Sequence, residues 1–297
     1  MPRFRLPLGA RRRASPRSPQ KGREGKAPFW IYGRHAVAAA LQNPKRRWRE
    51  LLVVEGHERE AEALLSAAKA VRAGEGAPLR SLSRSGLAAL LSPDAVHQGL
   101  ALQVEPLPEP SLEELLRASE KGAGKRVVIL LDRVQDPQNV GAVLRSAAAF
   151  GAAAVVLPAH GAPVAAGALA KAASGALEYV PLIRAGNLAR ALELLKKAGF
   201  WVCGLDEGAP ELFSASAFSD RIALVFGSEG EGMRRLVREG CDRLARLPTR
   251  PGFPTLNVAN AAAVALYELM RCEGAACGEE GAALARPCDG VDSSQPG

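Results

Sequence analysis

The chain has 297 residues, 47% of them hydrophobic and only 5% aromatic, so it is long enough for two modest domains with cores built mainly from small side chains. No run of about 18 apolar residues without charges occurs, which argues against a membrane-spanning helix. The formal net charge is +8, and its position in the chain matters more than its size.

The whole net charge lies in the first 28 residues. They hold nine basic side chains and one acid, and the 39 Lys and Arg and 31 Asp and Glu of the chain balance once those residues are set aside. Mixed with Pro, Ser and Gly, this composition predicts a disordered basic tail over residues 1–28. Three interpretations stay open: an arm that contacts nucleic-acid phosphates, an organelle transit peptide, or a solvated tail without a specific role.

The cysteines predict free thiols rather than disulfides or a metal site. Their number is odd and their spacing fits no zinc pattern, so we expect no bound metal and a reducing compartment. The five are Cys203, Cys241, Cys272, Cys277 and Cys288.

Residues 29–105 predict a small α/β unit. "FWIYGRHAVAAALQNP" begins with an apolar run and continues as a helix to Asn43, "RELLVVEG" is a strand, "EREAEALLSAAKAVRAG" is a helix, and "HQGLALQVEPLPEP" is a strand that runs into prolines. Residues 106–124 then read as a linker that includes a short helix.

From residue 125 to 272 strands alternate with helices, which predicts an α/β domain with a mostly parallel sheet. The predicted strands are "RVVILL", "AAVVLP", "LEYVPLI", "WVCGL", "IALVFG" and "RLARLP". The predicted helices are "QNVGAVLRSAAAF", "AGALAKAAS", "NLARALELLKKAG", "MRRLVREG" and "NVANAAAVALYELMRC". Residues 273–297 are rich in Gly, Ala and Glu and predict a second disordered tail.

The first strand-to-helix connection of this domain is "DRVQDPQNVGAVLR". Asp136 before a proline predicts a helix N-cap, which places Asn139 in the first turn and Arg145 in the second. The residues around Arg145 are small, so a ligand or another backbone can approach it. An arginine that simply extends to solvent is the competing interpretation.

Two further connections have the same character. "LVFGSEGEGM" contains Gly227 and Glu229 but lacks the lysine of a phosphate-binding loop, and its carboxylates favour a ligand with positive character, such as a sulfonium. "LPTRPGFPTLNVANAA" runs from Leu247 through a proline-stiffened loop to Asn257, which can also cap the following helix. Ligands of parallel sheets bind at the carboxyl ends of the strands, where all three connections meet.

Taken together, "DPQNVGAVLRSAAAFGA", "LVFGSEGEGM" and "LPTRPGFPTLNVANAAAVALYE" resemble the three motifs of the SpoU (TrmH) methyltransferases of the SPOUT class. The resemblance covers residues 29 to 271. "FWIYGRHAVAAAL" and "KAASGALEYVPLIRAGNLARAL" are similar to the branch that methylates a guanosine ribose in large-subunit (23S) rRNA, which carries a small ribosomal-protein-like RNA-binding domain before the catalytic one.

The resemblance implies a trefoil-knotted catalytic domain that transfers a methyl group from S-adenosyl-L-methionine to a ribose 2′-hydroxyl of RNA. It also implies a homodimer with its site at or near the interface. We expect a bacterial cytoplasm as the location, and the basic residues 1–28 leave a mitochondrion open. Gly227, Leu247 and Leu256 match the cofactor-binding positions. The catalytic polar set is matched by Arg145, Asn139, Glu229 and Asn257.

Two other functions stay open at this point. A tRNA ribose methyltransferase would share the catalytic domain, although the N-terminal unit weighs against it. A non-catalytic RNA-binding or ribosome-assembly protein could keep the fold, although the retained Asn139, Arg145 and Glu229 weigh against that. The guanidinium is a permanent cation in proteins, so Arg145 suits the stabilisation of an alkoxide better than the role of base.

Overall fold

The computed structural model describes residues 28–71, 77–91, 95–119, 125–163, 165, 167–218, 220–250 and 256–276. The predicted basic tail therefore lies outside the described residues except for Pro28. Residues 120–124 of the predicted linker and 277–297 of the predicted C-terminal tail also lie outside them.

The first unit is a four-stranded sheet in the order β1-β4-β2-β3 with three helices. Strand β4 pairs antiparallel with β1 and β2, and β3 adds to β2 in parallel. The elements are β1 Phe29–Tyr32, α1 Arg34–Gln42, β2 Trp48–Val54, α2 Glu58–Val71, β3 Leu79–Leu82, α3 Arg84–Leu90 and β4 Leu100–Val104. The helices and strands predicted here are present, whereas β1, β3 and α3 were not predicted.

The second unit is a seven-stranded sheet in the order β7-β6-β5-β10-β8-β11-β9, in which every neighbouring pair is parallel. The predicted α/β class with a mostly parallel sheet is confirmed. The strands are β5 Arg126–Leu131, β6 Ala154–Pro158, β7 Leu182–Ala185, β8 Trp201–Leu205, β9 Glu211–Leu212, β10 Arg221–Phe226 and β11 Arg243–Arg246. The helices are α4 Leu112–Ser119, α5 Pro137–Ala149, α6 Ala168–Ala173, α7 Leu188–Lys197, α8 Arg235–Glu239 and α9 Val258–Ala276.

The parallel sheet is buried on both faces, which explains why its strands are continuous apolar runs. In β5, Ile129 and Leu131 face the core formed with α5, α6 and α9. Val128 and Leu130 face the opposite core, formed with α4, α7 and α8. Two helical layers therefore enclose the sheet and leave the ends of its strands for the connecting loops.

The predicted strand "LEYVPLI" is wrong over its first half. Residues Ala176–Glu178 form one turn of 3₁₀ helix, and the strand begins only at Leu182. The cause is a tertiary contact, because the Glu178 side chain is buried against Arg46 and Asn43 of the first unit. In a strand, successive side chains point to opposite faces of the sheet, so an extended segment here would direct Glu178 away from Arg46 and remove this ion pair.

The last helix runs to Ala276, so residues 273–276 are helical and do not belong to a loose tail as predicted. Within the described ranges no helix has both the length and the apolar character needed to cross a bilayer. The loop 251–255 that leads into α9 is outside the described residues, so the trefoil knot stays a prediction.

Candidate active site

Three polar side chains from three different loops meet at the carboxyl edge of the sheet. Asn139 donates to Oε1 of Glu229 at 3.3 Å, and Asn257 donates both to that oxygen and to Oδ1 of Asn139, the latter at 3.0 Å. We call these three residues the polar cluster. Each comes from a different sequence motif, so the structure brings together residues separated by up to 118 positions.

Local structure fixes the position of each member of the cluster. Asp136 accepts a hydrogen bond from the Gln138 amide, which begins α5 at the predicted cap and sets Asn139 in its first turn. Asn257 accepts from the Ala259 amide, so it caps α9 while its amide group reaches the cluster. The capping interpretation and the functional interpretation of Asn257 are therefore compatible.

A cavity of about 510 Å³ lies beside the cluster. Gly227, Leu247 and Leu256, the predicted cofactor residues, all line it, together with Glu229. Its volume is within the range of protein pockets that hold a small molecule or cofactor. We call it the donor cavity.

The donor cavity carries more negative than positive charge. Among the described residues that line it are four carboxylates and two arginines. Arg238 pairs with Asp206 at 2.8 Å, Arg246 donates to the Pro210 carbonyl at 2.9 Å, and Glu231 pairs with Arg133 outside the lining. The carboxylates belong to Asp206, Glu207, Glu229 and Glu231. Such a cavity favours a ligand with positive charge and disfavours a phosphate.

Gly227 is needed for the close approach of two backbone segments. A Cβ at this position would lie 2.2 Å from the carbonyl carbon of Gly232 and 2.3 Å from the Met233 nitrogen. The loop therefore folds back on itself, and Ser228 and Gly232 exchange backbone hydrogen bonds. Any side chain at Gly227 would push apart the loop that forms one wall of the donor cavity.

Asp132 is a residue of this region whose importance the sequence did not reveal. It is fully buried at the end of β5 and accepts from the backbone amide of Arg234 at 2.7 Å and from its Nε at 2.8 Å. These bonds join the end of β5 to the start of α8 beside the donor cavity. A charged residue immediately after a buried strand was the only available signal.

Arg145 lies apart from the donor cavity. Its side chain is exposed on α5, and within the described residues it has no hydrogen bond or ion pair. It lines a second space of about 460 Å³ between α5, α6 and helix α1 of the first unit. Six of the seven predicted site residues are thus at or beside one cavity, whereas Arg145 faces another.

Cys203 and Cys241 are not suited to act as nucleophiles. Burial raises the pKa of the Cys203 thiol and of the Cys241 thiol to about 12, so both are protonated at neutral pH. Within the described part of the chain, no group of three or more His, Cys, Asp or Glu side chains could hold a metal ion. Cys277 and Cys288 lie outside that part.

The fold is similar to that of a solved SpoU methyltransferase. The SpoU methyltransferase AviRb from Streptomyces viridochromogenes, in complex with AdoMet, superposes with a TM-score of 0.66 over 84% of this chain and 91% of its own, at 22% identity. At that identity the likeness concerns the fold.

Sequence comparison then gives the family. Residues 126–267 match the SpoU rRNA methylase family, and residues 30–110 match the model for RNA 2′-O ribose methyltransferase substrate binding. A 23S rRNA (guanosine-2′-O-)-methyltransferase RlmB from Pseudomonas aeruginosa is 39% identical over 245 residues, 81% of this chain and 95% of its own. Its counterpart from Escherichia coli K12 is 38% identical over 244 residues, 81% and 97% of the two chains. The chain belongs to the SpoU family of RNA methyltransferases.

Proposed function

We propose that this protein transfers a methyl group from S-adenosylmethionine to the 2′-hydroxyl of a guanosine ribose in 23S rRNA. The observation that carries the proposal is the polar cluster of Asn139, Glu229 and Asn257 beside the donor cavity. The RlmB relatives, by their names, suggest the reaction and the substrate. The proposal requires that the chain bind S-adenosylmethionine, which calorimetric titration measures. A chain that does not bind it would fit the alternative of a non-catalytic RNA-binding or ribosome-assembly protein.

The donor cavity suits S-adenosylmethionine in size and charge. Leu247 and Leu256 offer apolar walls for a flat adenine ring, and the excess of carboxylates favours a sulfonium. When bound, the cofactor supplies an electrophilic methyl group. The Gly227 loop then holds backbone amides close to the ligand, because no side chain intervenes.

A Gly227→Val chain should bind S-adenosylmethionine about tenfold or more weakly. The added side chain must displace backbone that lies 2.2 Å from its Cβ position, and overpacking of this kind typically costs ~1–3 kcal/mol. Calorimetry measures the loss of affinity. Gly186→Val is the matched control, because a Cβ there meets no atom within 4 Å and Gly186 does not line the cavity. Equal affinities in the two variants would contradict the assignment of the cavity.

Catalysis in this proposal rests on position and charge. In-line attack on the methyl group requires the ribose oxygen to be held in place, and such positioning supplies a large part of the rate. Arg145, a permanent cation, binds the phosphate beside the ribose. That phosphate takes the proton of the 2′-hydroxyl, and the guanidinium stabilises the alkoxide that remains. Asn139 and Glu229 orient the ribose at the mouth of the donor cavity.

Two copies of the chain complete the site. Arg145 faces a different space from the donor cavity, and α9 exposes an apolar stripe whose Tyr267 packs edge-on against Phe150 of α5 at 6.3 Å. Val264 and Met270 extend the stripe, and all three of its side chains are more than 40% exposed. An exposed apolar helix face of this kind is typical of a protein interface. We infer a homodimer in which Arg145 of one protomer serves the donor cavity of its partner.

Mixing two inactive variants should therefore restore activity. Arg145→Ala and Gly227→Val chains, coexpressed with different tags, form mixed dimers in which one of two sites has both an intact donor cavity and an intact arginine. The mixed dimer, freed of both parent dimers, should have about half of the wild-type rate. Methyl transfer to a 23S rRNA transcript by the doubly purified dimer measures it. A mixture as inactive as its parts would show that each chain uses its own Arg145.

The remaining assignments follow the same proposal. Residues 29–105 bind the RNA substrate, residues 106–124 link the domains, and residues 125–272 catalyse methyl transfer, with α9 threaded through a trefoil knot. The substrate-binding match over 30–110 supports the first of these. The bacterial sources of the relatives support a bacterial cytoplasm as the location.

A further inference from the structure

The space that Arg145 faces is a groove with one wall from each unit. Helix α1 forms one wall, and α5, α6 and the turn after α6 form the other. We call it the α1 groove. Its lining residues are His35, Ala38, Ala39, Gln42, Arg145, Ala148, Ala173, Ser174, Gly175, Ala176 and Tyr179. A volume of about 460 Å³ is large enough for one nucleotide.

The chemistry of the α1 groove is that of a nucleotide site. Among the described residues that line it none is acidic, and Arg145 provides a cation without a partner there. Tyr179 is 67% exposed, so its ring is accessible to a ligand. An exposed aromatic ring beside an unpaired cation is the combination with which proteins stack an unpaired base and hold its phosphate. Gln42 adds an amide able to hydrogen-bond a base edge.

A buried ion pair fixes the two walls relative to each other. Arg46 of the first unit meets Glu178 of the second, both side chains being only 2% exposed, and Asn43 donates to the same carboxylate at 2.8 Å. This pairing directs the Glu178 carboxylate towards Arg46 and Asn43, between the two units and away from the groove. Gly175 also packs on α1, where an added Cβ would lie 3.2 Å from that of Ala39.

The turn that presents the groove residues adopts a conformation rare for its sequence. Ser174 has φ 47°, in the left-handed region that L side chains seldom occupy, and Gly175 follows with φ 90°. Two successive left-handed residues reverse the chain after α6 and bring Tyr179 to the rim. Strained non-glycine residues of this kind are concentrated at binding sites.

We infer that the α1 groove binds an unpaired nucleotide of the RNA, with its base stacked on Tyr179 and its phosphate on Arg145. This inference rests on the proposed function, because it gives the substrate side of the same reaction. Sequence-specific recognition of RNA mostly uses bases that have left the helical stack and lie against aromatic side chains. Helix α1, although part of the first unit, then contributes directly to the choice of nucleotide.

Substitution of Tyr179 tests the inference. Full-length variants are compared with the full-length wild-type enzyme on a 23S rRNA transcript. Tyr179→Ala should raise the KM for the transcript and weaken its filter binding by about tenfold, with kcat within about twofold, because stacking contributes to binding of a base. Tyr179→Phe keeps the ring and should restore both values. Trp201→Ala is the matched control, an exposed aromatic residue at the amino end of β8.

The outcomes separate the inference from the proposed function. If Tyr179→Ala and Tyr179→Phe both match the wild type in KM and in binding, the α1 groove is not the nucleotide site. If Trp201→Ala weakens binding as much as Tyr179→Ala, the effect is unspecific and the inference also fails. If the wild type binds the transcript but does not methylate it, the proposed function fails. The binding affinities of the Tyr179 variants then still show whether the α1 groove binds the nucleotide.

Discussion

Replacement of Arg145 by alanine should lower the rate of methyl transfer by about 10²–10³-fold, as expected for the loss of one charged group that stabilises a developing anion. The side chain is exposed and, within the described residues, bonded to nothing, so the fold should be unaffected. Because Arg145 does not line the donor cavity, the affinity for S-adenosylmethionine should also be unchanged. Steady-state methylation of a 23S rRNA transcript and calorimetry measure the two quantities.

Two companion variants sharpen this result. Arg145→Lys keeps the charge but loses the planar fork that holds a phosphate, so its rate should fall between those of the wild type and the alanine variant. Arg190→Ala changes an exposed helical arginine of α7, on the other face of the sheet, and should have no effect. An Arg145→Ala enzyme with the wild-type rate would remove the residue from the mechanism.

Replacement of Glu178 by alanine should be the most destabilising of the substitutions considered. It leaves the Arg46 guanidinium, 2% exposed, without the carboxylate that compensates its charge, and breaking a buried pair in this way costs ~3–5 kcal/mol. The unfolding free energy from urea denaturation should fall by that amount. Limited proteolysis should cut between the two units sooner than in the wild type.

An exposed ion pair provides the control for this effect. Arg235 and Glu239 are 2.8 Å apart on α8, with side chains 76% and 56% exposed. Glu239→Ala should change stability by less than ~0.5 kcal/mol, since water screens such pairs. Similar losses in the Glu178 and Glu239 variants would mean that the Arg46 pair does not join the two units.

The sequence predicted the elements that have a recognisable pattern of apolar residues and missed those without one. Strand β5 is a continuous apolar run buried on both faces, so its composition alone identifies it. Strand β3 is an exposed strand at the edge of its sheet, and its residues Leu79–Leu82 show no alternation of apolar and polar side chains. The turn at Ala176–Glu178 depends on a partner 132 positions away, which no local pattern contains.

The sequence predicted one part of the site and missed another. The loops that carry Asn139, Glu229 and Asn257 each follow a parallel strand, so their meeting at one edge follows from the topology. The separation of Arg145 from the donor cavity does not follow from it. That separation depends on how α5 packs between α6 and α9, which is set by the tertiary structure as a whole. Spacing along the chain placed Asn139 and Arg145 together, whereas the structure directs them to different spaces.

The most direct test of the central claim is nucleotide-resolved mapping of ribose methylation in 23S rRNA and tRNA from cells with and without this protein. The proposed function predicts one guanosine of 23S rRNA that carries a 2′-O-methyl group only when the protein is present. Expression of the wild-type chain should restore the modification, and expression of the Arg145→Ala chain should not. An unchanged 23S rRNA, or a difference confined to tRNA, would contradict the claim.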